Sequence, residues 1–184
     1  MPGGPGNAYG TVAIGLHWLV AAGAIAAFGV GFTMVDLPFS PARLTRFSIH
    51  KWIGVSVFAV MLMRLTWRLG HAPPPMPMAL PRWQVALAHA VHALLYALLL
   101  AIPLTGWLYS SASGVPTVPF GVSALQLPDL VERDKALADL LRFIHRTLNY
   151  SLATLVGLHV AGVLVHQFTQ GPGVLSRMLP GKHA

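Results

Sequence analysis

Four long stretches of the chain are apolar, and short polar or proline-rich segments separate them. A bilayer crossing takes about 20 mostly apolar residues in a helix. The first stretch, 12–35, holds no charged residue, and Pro38 and Pro41 close it. In the second, 44–69, Lys51 and Arg64 bound only twelve charge-free residues, while the apolar pattern continues outward on both sides. Long basic side chains near a helix end can reach the interface while their stems stay among apolar groups. The third, 83–110, starts behind Pro81 and Arg82 and carries Pro103 as a predicted kink. The fourth, 140–168, is free of charge from Thr147 onward and is stopped by Gly171-Pro172-Gly173. The pattern predicts an all-α fold, an integral membrane four-helix bundle, with one transmembrane domain over 1–184 and no internal repeat.

The connections support the division. Residues 70–81 carry Pro73, Pro74, Pro75, Pro77 and Pro81 and read as a stiff loop. The longest connection, 111–139, begins irregular, with Gly114, Pro116, Pro119, Gly121 and Pro128. Its later part, 130–141, carries Glu132, Arg133, Asp134, Lys135 and Asp139 and reads as a short amphipathic helix lying at the interface. Residues 1–10 hold no Lys or Arg, whereas a cleaved leader needs a positive start. The first stretch is therefore expected to be a retained span.

Composition narrows the class. Hydrophobic residues are 55% of the 184 and charged residues 9%, against about 25% charged in a soluble domain. That supply cannot wet the surface of a soluble globule, and the hydrophobicity is too high for disorder. The absence of cysteine excludes disulfides, thiolate zinc sites, iron–sulfur clusters and covalently attached c-type haem. A net charge of +7 would suggest nucleic acid in a soluble domain. Here the bases fall at membrane edges, where anionic headgroups of the lipid bilayer lie, and no basic patch interleaves with aromatics. No nucleic-acid partner is expected. Four crossings place both termini and the 70–81 loop on one side, with Arg64, Arg68, Arg82, Arg177 and Lys182 and no acid. The other side holds Arg43, Arg46, Lys51, Arg133, Lys135, Arg142 and Arg146, with all five acids. The positive-inside rule counts bases, and this raw count leans against a cytoplasmic N-terminus.

Nine histidines in a chain with five acids ask for an explanation. His71 and His183 fall in a loop and a tail and are expected to be solvated. His145 and His159 are 14 residues apart on the fourth span. That is just under four turns, so both face the same way, about 21 Å apart along the axis. Two ligands so placed would serve two cofactors near opposite membrane surfaces. The alternating direction of the spans puts His17 at the depth of His159, and His50 at the depth of His145. Each pair could clasp one haem iron between two neutral imidazoles. Gly54, four residues after His50, and Gly162, three after His159, leave room on the histidine's own face for a flat macrocycle. Arg46, Lys51, Arg142 and Arg146 bracket His50 and His145 and suit anionic propionates, a use that would also account for the base count on that side.

Other readings stand beside this one. An intramembrane histidine is often an interhelical hydrogen bonder. His89 and His92, at i and i+3 on the third span, also match His17 in depth. They read as rival ligands, as a polar patch beside a quinone or proton path, or as packing hydrogen bonds. His166, seven residues beyond His159, reads as interfacial or as support for the site. A non-haem metal enzyme or transporter needs clustered ligands, usually with carboxylates, and all five acids lie outside the spans.

Gly15-Leu16-His17-Trp18-Leu19 opens the first span, and Ile49-His50-Lys51 with Gly54 opens the second. Arg64-Leu65-x-x-Arg68 leads into the proline-rich loop. His89-x-x-His92 and Pro103-Leu104-x-Gly106 mark the third span. His145-Arg146-Thr147-Leu148-Asn149 and Gly157-Leu158-His159 mark the fourth. This ordered set, over nearly the whole chain, resembles the bacterial cytochrome b561 family, small di-haem b proteins of the inner membrane. Cytochrome b subunits of membrane hydrogenases and formate dehydrogenases share the plan. The resemblance implies cytoplasmic N- and C-termini and two haem b groups, with ligands from the first, second and fourth helices at His17, His50, His145 and His159. Eukaryotic relatives draw ligands from a different helix set, which leaves His89 and His92 open. It further implies transmembrane electron transfer, electron exchange with the quinone pool (ubiquinone as substrate) and, in some members, superoxide as periplasmic donor. Arg43, Arg46, Lys51, Arg142 and Arg146 could steer such an anion, although neutralising propionates is the plainer role. The alternative is a haem b anchor subunit of a larger oxidoreductase, for which the short first loop offers little docking surface.

Overall fold

The computed structural model describes residues 9–74, 80–170 and 175–179. The middle of the proline-rich loop, Gly171-Pro172-Gly173 and His183 lie outside the described residues. Four helices carry the fold: α1 (Thr11–Met34), α2 (Pro41–Gly70), α3 (Arg82–Ala112) and α4 (Lys135–Gln170). Each is long and apolar enough to cross a membrane. The 36 residues of α4 extend about 54 Å, against a hydrocarbon core of about 30 Å, so its ends project into the interfaces. α1 is apolar on every side, with Ile25 and Phe32 turned outward. Lipid is the solvent for such a surface, and the backbone groups are satisfied within the helix.

Two boundaries differ from the sequence reading. Pro41 does not close the first span; it is the first residue of α2. Ser40 caps that helix, its hydroxyl accepting the Arg43 N–H at 3.3 Å. A proline costs nothing there, because the N–H it lacks has no helical partner in the first turn. The second difference is at 130–141, which is not a separate interfacial helix. Residues from Lys135 onward are the first turns of α4. The Asp134 carboxylate accepts the Leu137 N–H at 2.9 Å, and the Asp134 carbonyl accepts the Ala138 N–H at 2.9 Å. The Asp134 N–H donates to the Ala112 carbonyl at 3.0 Å, which ties the start of α4 to the end of α3. Of the charges that suggested an interfacial helix, Lys135 and Asp139 lie in the solvated first turns of a spanning one, Asp134 caps it, and Glu132 and Arg133 precede it. Asp134→Ala is expected to cost about 1 kcal/mol at this helix start. Hydrogen exchange should quicken in the first turn of α4 and stay unchanged at mid-helix.

The connection from α3 to α4 folds down over the ends of α2 and α3. The Trp52 indole N–H donates to the Val118 carbonyl at 2.8 Å, and the Lys51 ammonium donates to the carbonyls of Val115 and Pro116, each at 3.2 Å. The Trp107 indole donates to Pro128 at 2.9 Å. Buried Ser110 donates to Val115 at 2.6 Å and accepts from Thr117 at 3.1 Å. Backbone polar groups that a helix would pair internally are thus paired across the connection.

The helices pack unevenly. α1 lies along α2, α3 lies along α4, and α2 touches α3. α4 makes no comparable approach to α1 or α2. The main apolar cluster, Leu95, Ile102 and Leu152, sits between α3 and α4. Two well-packed hairpins therefore face each other, and the faces of α4 toward α1 and α2 stand apart.

Candidate functional site

Histidines bridge the helices that stand apart. His50 of α2 faces His145 of α4, with ring centroids 6.2 Å apart and planes at 87°. His17 of α1 faces His159 of α4, at 6.4 Å and 61°. All four are half-buried. A metal bound by two imidazoles sits about 2.0 Å from each nitrogen, and a ring nitrogen lies about 1.1 Å from its centroid, so the centroids belong about 6.3 Å apart. Both pairs meet that separation. His92 of α3 also lies against His159, at 5.2 Å and 69°, roughly 1 Å short of the separation a shared iron needs. His92 therefore stands beside the pair. His89 is exposed and turned away. His166 is half-buried, and its Nδ1 has no hydrogen-bond partner among the described residues. His71 is exposed at the end of α2, stacked on Trp67 at 3.8 Å.

The hydrogen bonds of His50 and His145 define their tautomers. The Nδ1 of His50 lies 2.9 Å from the Ala27 carbonyl of α1. The Nδ1 of His145 lies 3.0 Å from the Ile102 carbonyl of α3 and 3.1 Å from the Thr105 hydroxyl. A carbonyl only accepts, so Nδ1 carries the proton and Nε2 keeps its lone pair for a ligand. The Thr105 hydroxyl itself donates to Ile102 at 2.8 Å. Neither Ala27 nor Thr105 was legible as a site residue, because a backbone carbonyl has no residue signature and a threonine in an apolar helix commonly bonds its own backbone.

A flat group also needs space. A Cβ added at Gly54 or at Gly162, each on its histidine's own face, would meet no neighbouring atom within 4 Å. The residues present therefore fit a planar, doubly ligated iron group at each end: two imidazoles at the right separation, helices held apart, and open space beside one ligand of each pair.

The bases divide between the two ends. At the His50–His145 end, Arg46 is exposed and donates to the Thr33 hydroxyl at 3.0 Å, Arg142 is exposed, and the Arg146 guanidinium lies 5.7 Å from the centre of the Tyr150 ring. Lys51 is engaged with the connection, as described. At the other end, Arg64 reaches inward from α2. It donates to the Ala13 carbonyl and to the Tyr96 hydroxyl, each at 3.0 Å. Arg68 lies over the same Tyr96 ring at 5.6 Å. Ala13 is one turn before His17, so Arg64 brings a cation to that end. In the sequence Arg64 marks the edge of the second span and opens the Arg64-Leu65-x-x-Arg68 motif, with nothing to show that it turns inward toward His17. The Trp18 indole donates to the Met178 carbonyl at 2.7 Å, which ties the C-terminal segment to α1.

Fold and site together define a four-helix membrane protein that presents paired histidines at two depths. The family model for prokaryotic cytochrome b561 matches residues 8–181, and the chain belongs to this family of membrane haem b electron-transfer proteins. It is similar to cytochrome b561 homolog 2 of Escherichia coli (strain K12), with 33% identity over 173 residues, 93% of this chain and 90% of that one. It is similar to a probable superoxide oxidase CybB of Yersinia pestis, with 29% identity over 177 residues, 95% and 97% of the two chains. Cytochrome b561 homolog 1 of E. coli is 26% identical over 181 residues, 95% and 98% of the two chains.

Proposed function

We propose that this protein binds two b haems, one between His50 and His145 and one between His17 and His159. It carries single electrons across the bacterial inner membrane to ubiquinone, with superoxide as the electron donor at the periplasmic face. The observation that carries the reading is the pair of ring separations, 6.2 and 6.4 Å, at two depths of one helix. When bound, the haems supply reversible one-electron chemistry at both ends of the bundle. The chain's own residues do the rest. His17, His50, His145 and His159 present neutral nitrogens as ligands. Gly54 and Gly162 keep the ligand faces clear. The apolar helices exclude water. Arg46, Arg142 and Arg146 balance propionates at one end and Arg64 at the other, while Lys51 and Trp52 hold the α3–α4 connection over the first.

Both termini are cytoplasmic in this reading, which puts His50 and His145 near the periplasm. The family supports that orientation against the raw base count, since bases tied to propionates do not report topology. Superoxide as donor is supported by the name of the Yersinia relative and by the exposed bases at that end. The balance is two superoxide anions, one quinone and two protons giving two molecules of oxygen and one quinol. The test is haem-loaded protein in liposomes with ubiquinone and an external superoxide source. One quinol is expected per two superoxide oxidised through the protein, beyond the loss to spontaneous dismutation measured without it. Compared at equal haem content, an Arg46/Arg142/Arg146→Gln variant should be slower by roughly three- to tenfold at low ionic strength, and the difference should shrink toward 1 M salt, where screening acts within about 3 Å. Loaded protein that forms no quinol from superoxide would contradict this donor.

A further inference from the structure

We propose that Gly31 and Gly106 are positioning residues, each opening a backbone carbonyl to one imidazole and so setting the rotation and donor strength of His50 and His145. This rests on the reading of those two histidines as ligands. In an α-helix the carbonyl of residue i is taken by the N–H of residue i+4. For Ala27 that residue is Gly31, and for Ile102 it is Gly106. At both places a histidine from the next helix brings Nδ1 to the same carbonyl, at 2.9 and 3.0 Å. A carbonyl has two lone pairs and can serve both donors. The imidazole reaches it only over a residue without a side chain. A Cβ at Gly31 would lie 3.0 Å from Cε1 and 3.2 Å from Nδ1 of His50. A Cβ at Gly106 would lie 3.0 Å from Cε1 and 3.4 Å from Nδ1 of His145.

The same device thus occurs twice, in α1 for His50 and in α3 for His145, and both histidines belong to one pair. No described glycine meets His17 or His159 in this way. The two ends therefore differ. At the His50–His145 end both Nδ1–H groups are tied to carbonyls, which fixes the tautomer, stops the rings turning and makes each Nε2 a stronger donor. Stronger donation favours ferric over ferrous iron and lowers the potential at that end. Thr105 adds a second hydrogen-bond partner at His145 alone.

The experiment uses the purified full-length chain with its haem, a redox titration that resolves the haems, and low-temperature electron paramagnetic resonance of the ferric protein. Gly31→Ala and Gly106→Ala are expected to raise one potential of the two. A roughly tenfold change in the ferric–ferrous preference reads as about 59 mV for one electron. The g values of the same haem should move, because they report the imidazole planes. Gly29→Ala, whose added Cβ meets nothing, should leave both haems unchanged. Thr105→Val removes a partner of the His145 Nδ1 while keeping the shape, and should raise the same potential by less. It tests the bond if an alanine at Gly106 costs the haem. Unmoved potentials and g values in the glycine and Thr105 variants, or a shift confined to the other haem, would overturn the proposal. His145→Ala separates the two levels of inference. If that variant retains two haems, the ligand reading falls and the positioning role with it; if it loses one while the glycine and Thr105 variants shift nothing, only the positioning role falls.

Discussion

His145→Ala is expected to yield a folded protein that holds one haem instead of two. The substitution removes one of the two imidazoles at that end and leaves His50 facing a gap. The helix does not depend on the lost side chain, because the Ile102 carbonyl still has its helical partner, and α4 is held to α3 by Leu95, Ile102 and Leu152. The other pair, about 21 Å away along α4, keeps its geometry. Haem assayed per chain should therefore fall by half, and the surviving haem should keep its spectrum and potential. His92→Ala is the matched control. Its ring touches His159 at 5.2 Å, too near to share an iron, so both haems should remain. Loss of neither haem from His145→Ala, or of a haem from His92→Ala, would require a different ligand set.

Leu152→Ala should produce the largest loss of stability short of a ligand. Leu152 is 8% exposed and lies on α4 seven residues from each of His145 and His159. It holds the middle of α4 on α3, and so the height and rotation of both histidines. In a bilayer the transfer part of a leucine deletion is small, since lipid is as apolar as the core, and the packing part remains. A cavity of this kind costs about 2 kcal/mol, or about 4–8 °C in Tm for a chain of this size. Thermal unfolding in detergent, followed at the haem band, is the measurement. Ile25→Ala, at a position 70% exposed on the lipid face of α1, should change Tm by far less. Equal effects from the two would mean that the α3–α4 cluster does not organise the bundle.

The four helices were legible in the sequence because apolar stretches of spanning length leave few alternatives. The histidine juxtapositions follow from two features: the 14-residue spacing on α4 and the alternating direction of the helices. Element boundaries were less legible, for reasons particular residues make plain. Pro41 stops a helix that precedes it and starts one that follows, and hydropathy does not distinguish the two. The charged residues at 132–139 look interfacial whether they form their own helix or the lead-in and first turns of α4; the Asp134 cap decides the matter. The helix 3 histidines separate only in three dimensions, with His92 turned in and His89 out. The partners of His50 and His145 were out of reach for a further reason. They are main-chain carbonyls, and the signal they leave is a missing side chain at Gly31 and Gly106 on another helix.

The paired histidines call for two iron groups per chain, each between two imidazoles. The most direct measurement is haem quantified per chain in the purified protein, with a dithionite-reduced minus oxidised spectrum and electron paramagnetic resonance of the ferric state. Two haems per chain, a b-type α band and two low-spin signals from two-imidazole ligation are expected. One haem per chain, or no b-type band, would contradict two-imidazole ligation at both pairs.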